Sequence, residues 1–150
     1  MMDDLKVPTV STQVQILCAD GTRLAGTVFL PTATSHHEGP TRPEEWMNDG
    51  SPFFPFLPEG SAGALILNKD LLVAVTLAAT PGMVLDVERE VQVEAAGEKL
   101  VGIIHIDLPA NHQRVLDYLN LAPDFVPLYS GQSLHLLNKR HVSRLKEGRS

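Results

Sequence analysis

Short apolar runs broken by glycine, proline and asparagine predict strands, rather than long helices, along most of the chain. Val14–Ala19 and Thr22–Leu30 are apolar and rich in β-branched residues, and Asp20-Gly21 between them is a strong two-residue hairpin signal. Glu90–Ala95 and Lys99–Leu108 form a similar pair in the second half. The pattern therefore predicts one hairpin near the start of each half.

Each predicted hairpin is followed by a short helical segment and three more strands. These strands are Phe53–Leu57, Ala64–Leu67 and Leu71–Leu77, then Phe125–Tyr129, Leu134–Leu137 and Val142–Leu145. In the second half Val115, Leu116 and Leu119 form one apolar stripe, which is typical of a helix. In the first half Thr41 and Glu44 fit a capping box for a shorter helical turn.

Several residue patterns occur twice in the same order, which indicates an internal duplication. The matched segments are Leu24-Ala25-Gly26 with Leu100-Val101-Gly102, Arg42–Asn48 with Arg114–Asn120, Pro52–Leu57 with Pro123–Leu128, and Leu67-Asn68-Lys69 with Leu137-Asn138-Lys139. The separation between matched segments decreases along the chain, so the first copy is expected to carry small loop insertions.

The repeat and the strand pattern together predict an all-β fold with minor α content. We expect two tandem five-stranded small barrels, each with a short helix between its second and third strands, related by pseudo-twofold symmetry. The first barrel is predicted at residues 1–80, with a long polar loop at 32–51, and the second at 83–150, with a basic C-terminal tail. Pro81-Gly82 marks the boundary, because this dipeptide is typical of a turn or linker.

Composition and charge narrow the function classes. The 150 residues are 43% hydrophobic, which is enough to bury a core, and the 18 acidic and 12 basic residues give a net charge of −6. That charge disfavours nonspecific binding to nucleic acid or to an anionic membrane. The chain has no leader-like N-terminus and no apolar run of about 20 residues, so we expect a cytoplasmic protein without membrane contact.

The repeated layout resembles two families. A strand, an Asp-Gly turn, a second strand with L-x-G and a Leu-Asn-Lys turn resemble the Sm-like and SH3-like small barrels. The R-x-x-D-x-L-N and N-K-x-x-[IV] patterns of the second half look like an uncharacterised bacterial family of small domains, a resemblance that implies no activity. The Sm-like resemblance implies uridine binding by turn residues, which here are Asn68, Lys69, Asn138 and Lys139.

Two sets of residues are candidates for binding. The first set comprises the turn residues Asn68, Lys69, Asn138, Lys139 and Arg140, whose amide, ammonium and guanidinium groups suit a base, a phosphate or an acidic partner. In the alternative interpretation the asparagines set the turn geometry, helped by their tolerance of positive φ, and the lysines are solvated tips. The second set is Phe53, Phe54 and Phe56, a contact surface if exposed and a core strand if not.

A structural role is predicted for Arg42, Arg114, Asp117 and Asn120. Arg42 and Arg114 each precede an acid by three residues, the spacing of an ion pair on one helical turn. We expect such pairs to fix each helical turn to its barrel.

No recognised catalytic motif occurs in the sequence. The single cysteine, Cys18, lies in an apolar strand and excludes a disulfide framework, and the six histidines lack the spacing of a metal site. We predict no catalytic residues, no metal and no cofactor. The expected function is a non-enzymatic bacterial protein-interaction, scaffold or regulatory module that binds a protein partner or itself. The alternative is an Sm-like RNA-binding protein.

Overall fold

The computed structural model describes residues 9–32, 41–79, 87–109 and 114–148, which fold mainly into β-strands. In this part of the chain ten strands form a single open antiparallel sheet, accompanied by two short α-helices, so the all-β prediction with minor α content is confirmed. The predicted boundary at Pro81-Gly82 and the stretch 33–40 of the long polar loop lie outside the described residues.

Each half contains five strands and one helix in the same order along the chain. In the first half the elements are β1 (Thr9–Cys18), β2 (Arg23–Pro31), α1 (Pro43–Met47), β3 (Phe53–Pro58), β4 (Leu65–Asn68) and β5 (Leu72–Ala78). In the second half they are β6 (Val87–Ala95), β7 (Glu98–Ile106), α2 (Val115–Leu121), β8 (Phe125–Ser130), β9 (Ser133–Asn138) and β10 (Val142–Glu147). A 3-10 turn, Lys69–Leu71 or Lys139–His141, precedes the last strand of each half.

The spatial order of the strands is β10-β6-β7-β8-β9-β5-β1-β2-β3-β4. In each half the fifth strand therefore lies beside the first, and the fourth strand lies at the opposite edge. The halves meet where β5 pairs with β9, with Val75 opposite Leu136 and Thr76 opposite His135. Because this junction joins two different edges, β10 and β4 are left as the outermost strands of the described sheet.

The two hairpin turns differ from the predicted ones. The Asp20-Gly21 turn contains three residues, because the Cys18 N–H donates to the Thr22 carbonyl and Gly21 has a φ of +89°. The predicted strands of the second hairpin leave three residues, 96–98, for its turn, but Ala95 pairs with Glu98 and the turn has two residues. Its central residues Ala96 and Gly97 both have positive φ, as a type I′ turn requires.

The start of α1 also differs from the sequence prediction. Arg42, rather than Thr41, is the N-cap of α1, and its backbone N–H donates to the Glu45 carboxylate at 2.9 Å. Pro43 occupies the first helical position, where the missing N–H costs no hydrogen bond. This proline sets the start of the helix, one residue later than the capping-box spacing predicted.

The apolar core is divided into two clusters that each draw on both halves. The first-half cluster includes three residues of the second half, Phe125, Leu134 and Leu136. The second-half cluster includes three residues of the first half, Leu17, Val73 and Ala74. The junction between β5 and β9 is therefore part of both cores.

Backbone hydrogen bonds correct the sequence alignment of the two halves at the third strand. The Lys69 N–H donates to the Pro52 carbonyl at 2.9 Å, and the Lys139 N–H donates to the Asp124 carbonyl at 2.8 Å. Pro52 thus corresponds to Asp124, and the alignment of the two prolines was out by one residue. Positions with the same place in these hydrogen-bond patterns are called corresponding positions below.

Candidate interaction edge

The two Asn-Lys turns have the same local geometry. Asn68 Oδ1 accepts from the Asp70 N–H at 3.0 Å, and Asn138 Oδ1 accepts from the Arg140 N–H at 3.1 Å. The asparagines have φ of −89° and −75°, so their tolerance of positive φ plays no part. Each asparagine side chain caps the 3-10 turn that follows it. These residues set the turn geometry as the sequence analysis proposed, but by capping.

Lys69 is buried, in contrast to the solvated tip considered from the sequence. Only 7% of its surface is exposed, and its ammonium donates to the Trp46 carbonyl at 3.2 Å and to Asp49 Oδ1 at 2.9 Å. Its Nζ also lies 5.9 Å from the centre of the Trp46 ring. Since Trp46 is near the end of α1, its carbonyl has only a long backbone hydrogen bond, from the Asp49 N–H at 3.4 Å, and the ammonium supplies a second donor.

Lys139 has the corresponding role in the second half. Its ammonium donates to the Leu119 carbonyl at 2.8 Å and to the Ala122 carbonyl at 2.5 Å, at the C-terminal end of α2. A cation there also interacts favourably with the helix dipole. In both halves the lysine of the Asn-Lys turn therefore binds the C-terminal end of the α-helix in the same half.

The pKa of the Asp49 carboxyl is changed by these contacts. Partial burial acts to raise its carboxyl pKa, but the hydrogen bonds from Lys69 and from the Ser51 N–H outweigh burial. The pKa of Asp49 is therefore lowered from its ordinary value, and the carboxylate stays ionised beside the ammonium.

Asn138 joins the two halves. Its side chain is 1% exposed, and its Nδ2 donates across the junction to the Leu72 carbonyl at 3.0 Å, with the Lys69 carbonyl at 3.5 Å. A buried amide is stabilised when its donors and acceptors are satisfied, and here the partners lie in the 3-10 turn before β5 and at the first residue of β5. Asn138 is thus a residue of the junction, and the amide is not available to a ligand.

A second asparagine crosses the same junction. Asn48 Nδ2 donates to the Phe125 carbonyl, and Asn48 Oδ1 accepts from the Phe125 N–H, both at 2.9 Å. On the exposed side, Arg140 lies 3.5 Å from the Asp70 carboxylate, and His141 Nε2 lies 2.6 Å from the Asp70 carbonyl oxygen. Sequence analysis did not single out Asn48 as a contact between the halves, although its place in the repeated R-x5-N pattern was the available signal.

The aromatic run of β3 splits between core and surface. Phe54 and Phe56 are 4% and 0% exposed, and Phe54 meets Trp46 edge-on with ring centres 5.1 Å apart. Phe53 is 53% exposed. Alternation along a strand accounts for the split, because successive side chains point to opposite faces. Of the three phenylalanines predicted as a contact surface, only Phe53 is open.

Phe53 belongs to a larger apolar edge around β4, which we call the β4 edge and define as Phe53, Leu65, Ile66 and Leu71. Their exposed fractions are 53%, 44%, 67% and 58%. The residues that correspond to Phe53 and Ile66 in the second half are Phe125 and Leu136, which are 3% and 0% exposed. The β4 edge is therefore open where its counterpart is covered by the other half.

The residues predicted to brace the helices have local partners. Arg114 Nε lies 3.0 Å from Asp117 Oδ2 within one turn of α2, and this hydrogen-bonded carboxylate raises the pKa of Arg114. Arg42 contributes its backbone N–H as the cap of α1. Asn120, which corresponds to Asn48, is exposed on α2. The ion pair joins residues of the same helical turn, which is a weaker device than the predicted brace between helix and barrel.

A shallow cleft of about 200 Å³ lies beside the junction, with Asn48 and Phe125 in its lining. His105 lines it too, and its buried Nδ1 has no hydrogen-bond partner within the described ranges and lies 3.9 Å from Glu88 Oε1. The His105 ring meets Tyr129 edge-on, with ring centres 4.7 Å apart. The volume is below the roughly 300–1,000 Å³ typical of small-molecule sites.

The described residues offer little for other chemistry. Within them no three His, Cys, Asp or Glu side chains are grouped to hold a metal ion. Cys18 is half-buried, and burial followed by the charge of Asp20 raises the pKa of its thiol, which disfavours the nucleophilic thiolate.

The longer of the two α-helices, α2, has seven residues, and across the described ranges no helix has the length and apolarity to cross a membrane.

Comparison with known proteins found no matching family model, no similar curated protein and no similar solved structure.

Proposed function

We propose that the chain is a non-enzymatic protein-interaction module that works as a scaffold or regulatory subunit in the bacterial cytoplasm. The observation that carries this proposal is the β4 edge, which combines an outermost strand with four large exposed apolar side chains. An exposed apolar edge strand is a template for pairing with another chain, which natural proteins normally cover or interrupt with charge.

The architecture that we propose for this module is a tandem pair of five-stranded small barrels derived by duplication. Support comes from the matching strand order of the halves, from the capped turns at Asn68 and Asn138, and from the helix-capping Lys69 and Lys139. A twofold axis would bring identical edges together, whereas β5 meets β9 here. We therefore propose a head-to-tail relation of the halves in place of the pseudo-twofold one.

RNA binding, the alternative function, receives less support from the contacts. Lys69 and Lys139 were its expected phosphate ligands, and both ammonium groups donate to carbonyls within the chain. Using them for RNA would remove the caps of α1 and α2. A protein partner at the β4 edge requires no such rearrangement.

Capture from cells that express the chain naturally tests the proposal. We expect proteins to be retained by the immobilised wild-type chain and by the control Val10→Lys, and lost with Ile66→Lys. Val10 and Ile66 are 49% and 67% exposed, so neither lysine should disturb the core. Equal capture by all three baits would contradict the use of the β4 edge. Binding to a uridine-rich single-stranded RNA that weakens steeply with salt would favour the alternative.

A further inference from the structure

We infer that the partner of the β4 edge is a second copy of this chain, whose β10 strand pairs with β4 in head-to-tail fashion. This inference rests on the proposed interaction function and names its partner. It follows from the junction inside the chain, where a fourth strand, β9, already pairs with a fifth strand, β5. The outermost strands β4 and β10 are the remaining fourth and fifth strands.

The first argument is what β9 and β8 do at the internal junction. They deliver Phe125 and Leu136 into the first-half core, where these side chains are 3% and 0% exposed. At the corresponding positions the first half carries Phe53 and Ile66, which are equally apolar but 53% and 67% exposed. The first half therefore presents the side chains of such a junction without a core to receive them.

The second argument is that the core of the second half is incompletely covered at the positions where β8 and β9 cover the core of the first half. In the first half the receiving residues Trp46, Met47, Leu72 and Val75 are between 1% and 9% exposed. The corresponding residues of the second half are Tyr118, Leu119, Val142 and Leu145, which are only half-buried although they pack against the second core. Covering them would complete the second core as β9 completes the first.

The third argument concerns the polar groups. Asn138 Nδ2 donates across the junction to the start of β5, whereas Asn68 Nδ2 has no acceptor among the described residues. In the proposed contact Asn68 would donate to the Val142 carbonyl of the next copy. Asn120, exposed on α2, would bind the Phe53 backbone of the neighbour, as Asn48 binds that of Phe125.

A second copy fits better than an unrelated partner because both members of the contact occur on every chain. They lie at opposite ends of the strand order, so one molecule cannot satisfy both in the open sheet. Repeating such a heterologous contact gives a closed ring if the rotation closes, and a filament if it does not. Each added contact buries the β4 edge of one copy and the outer side of β10 of the next.

The internal junction also fixes the expected register. Inside the chain Val75 lies opposite Leu136, and Thr76 lies opposite His135. At the corresponding positions of the proposed contact, Leu145 of one copy lies opposite Ile66 of the next, and Lys146 lies opposite Leu65. The Thr76 hydroxyl lies 2.7 Å from His135 Nδ1, so side chains at this pair of positions touch. Position 65 of one copy should therefore lie against Lys146 of the next.

A charge pair at position 65 tests both the contact and its register. By analytical ultracentrifugation we expect the wild-type chain and Leu65→Glu to sediment as multiples of the 16.3 kDa chain. Leu65→Lys places two ammonium groups together and should weaken assembly about tenfold or more. Circular dichroism should be unchanged, because Leu65 is 44% exposed.

Disulfide cross-linking gives the second measurement. In a Cys18→Ala background, Leu65→Cys with Lys146→Cys should form a reducible ladder of chains on mild oxidation. The control, Leu65→Cys with Val101→Cys, should not, since Val101 lies on β7 away from both outer strands. A ladder of equal yield in both, or a wild-type chain that is monomeric at all concentrations, would overturn the inference. If that monomer still captures other proteins through Ile66, the proposed function stands without it.

Discussion

The ammonium of Lys69 is held between a helix-end carbonyl and a carboxylate, with 7% of the residue exposed. A charge in such a place is tolerated because two of its three donor hydrogens bind oxygens, one of them an ionised carboxylate. The ammonium also lies 5.9 Å from the centre of the Trp46 ring, and it binds the C-terminal end of α1, which is only five residues long. A helix of that length has no stability of its own and depends on such contacts.

Replacing Lys69 with methionine should lower the free energy of unfolding by about 1–3 kcal/mol, because the Trp46 carbonyl loses one of its two donors and Asp49 loses its ion pair. Lys99→Met is the control, since Lys99 is 70% exposed and lies 3.7 Å from its carboxylate partner. Urea unfolding followed by tryptophan fluorescence measures both. Equal stability of the two variants would show that the buried ammonium is not needed for the fold.

Among the elements, the second and third strands of each half approach each other at a glycine. A Cβ on Gly102 would lie 2.5 Å from the Tyr129 carbonyl oxygen, and a Cβ on Gly26 would overlap the Leu57 carbonyl oxygen. The glycines thus allow β3 and β8 to cross close to β2 and β7. The repeated L-x-G pattern marked these positions, and the close approach explains why no side chain is present.

Gly102→Ala should destabilise the protein by about 1–3 kcal/mol, because the added methyl group meets backbone that cannot move aside cheaply. Gly63→Ala is the matched control, since a Cβ there has no atom within 4 Å and Gly63 is not among the positive-φ glycines. Thermal unfolding of both variants compares them. A Gly102→Ala protein as stable as Gly63→Ala would mean that the strand crossing is not tight.

For the whole molecule, the junction of β5 and β9 is the decisive contact, since residues from each half enter the core of the other. His135 lies in this junction opposite Thr76, and burial lowers the pKa of its imidazole. The folded protein therefore favours the neutral ring, whereas the unfolded chain binds a proton near the ordinary histidine pKa of 6.5. The contribution of neutral His135 to the free energy of unfolding is therefore fully present above the unfolded-state pKa of 6.5 and declines as the pH falls below it.

We expect the free energy of unfolding to fall between pH 7.5 and 5.5, and to fall less in His135→Gln, which cannot take up the proton. Denaturant unfolding at several pH values gives the two slopes. Other titrating groups contribute equally to both proteins, so identical slopes would rule out His135 as a source of the pH dependence.

The alternation of apolar residues, the turn residues and the repeat together predicted all ten strands and both helices, because these signals are local. The same local signals missed the three-residue turn at Asp20-Gly21 and the start of α1, where the backbone choice of one residue decides the outcome. For the candidate residues, sequence indicated as an alternative that Asn68 sets the turn geometry, but showed neither that it does so by capping nor the oxygen ligands of Lys69.

By itself, the sequence determined which segments are strands, and that two similar sets of them follow each other along the chain. Only the tertiary structure decided that β5 joins β9, that Asn138 is buried while Asn68 is not, and that Phe53 stays open while Phe125 is covered. The physical reason is that a strand's hydrogen-bonding edge is the same polar backbone in every sequence. Which edges meet depends on side chains brought together from distant positions, and those distances exist only in the folded chain.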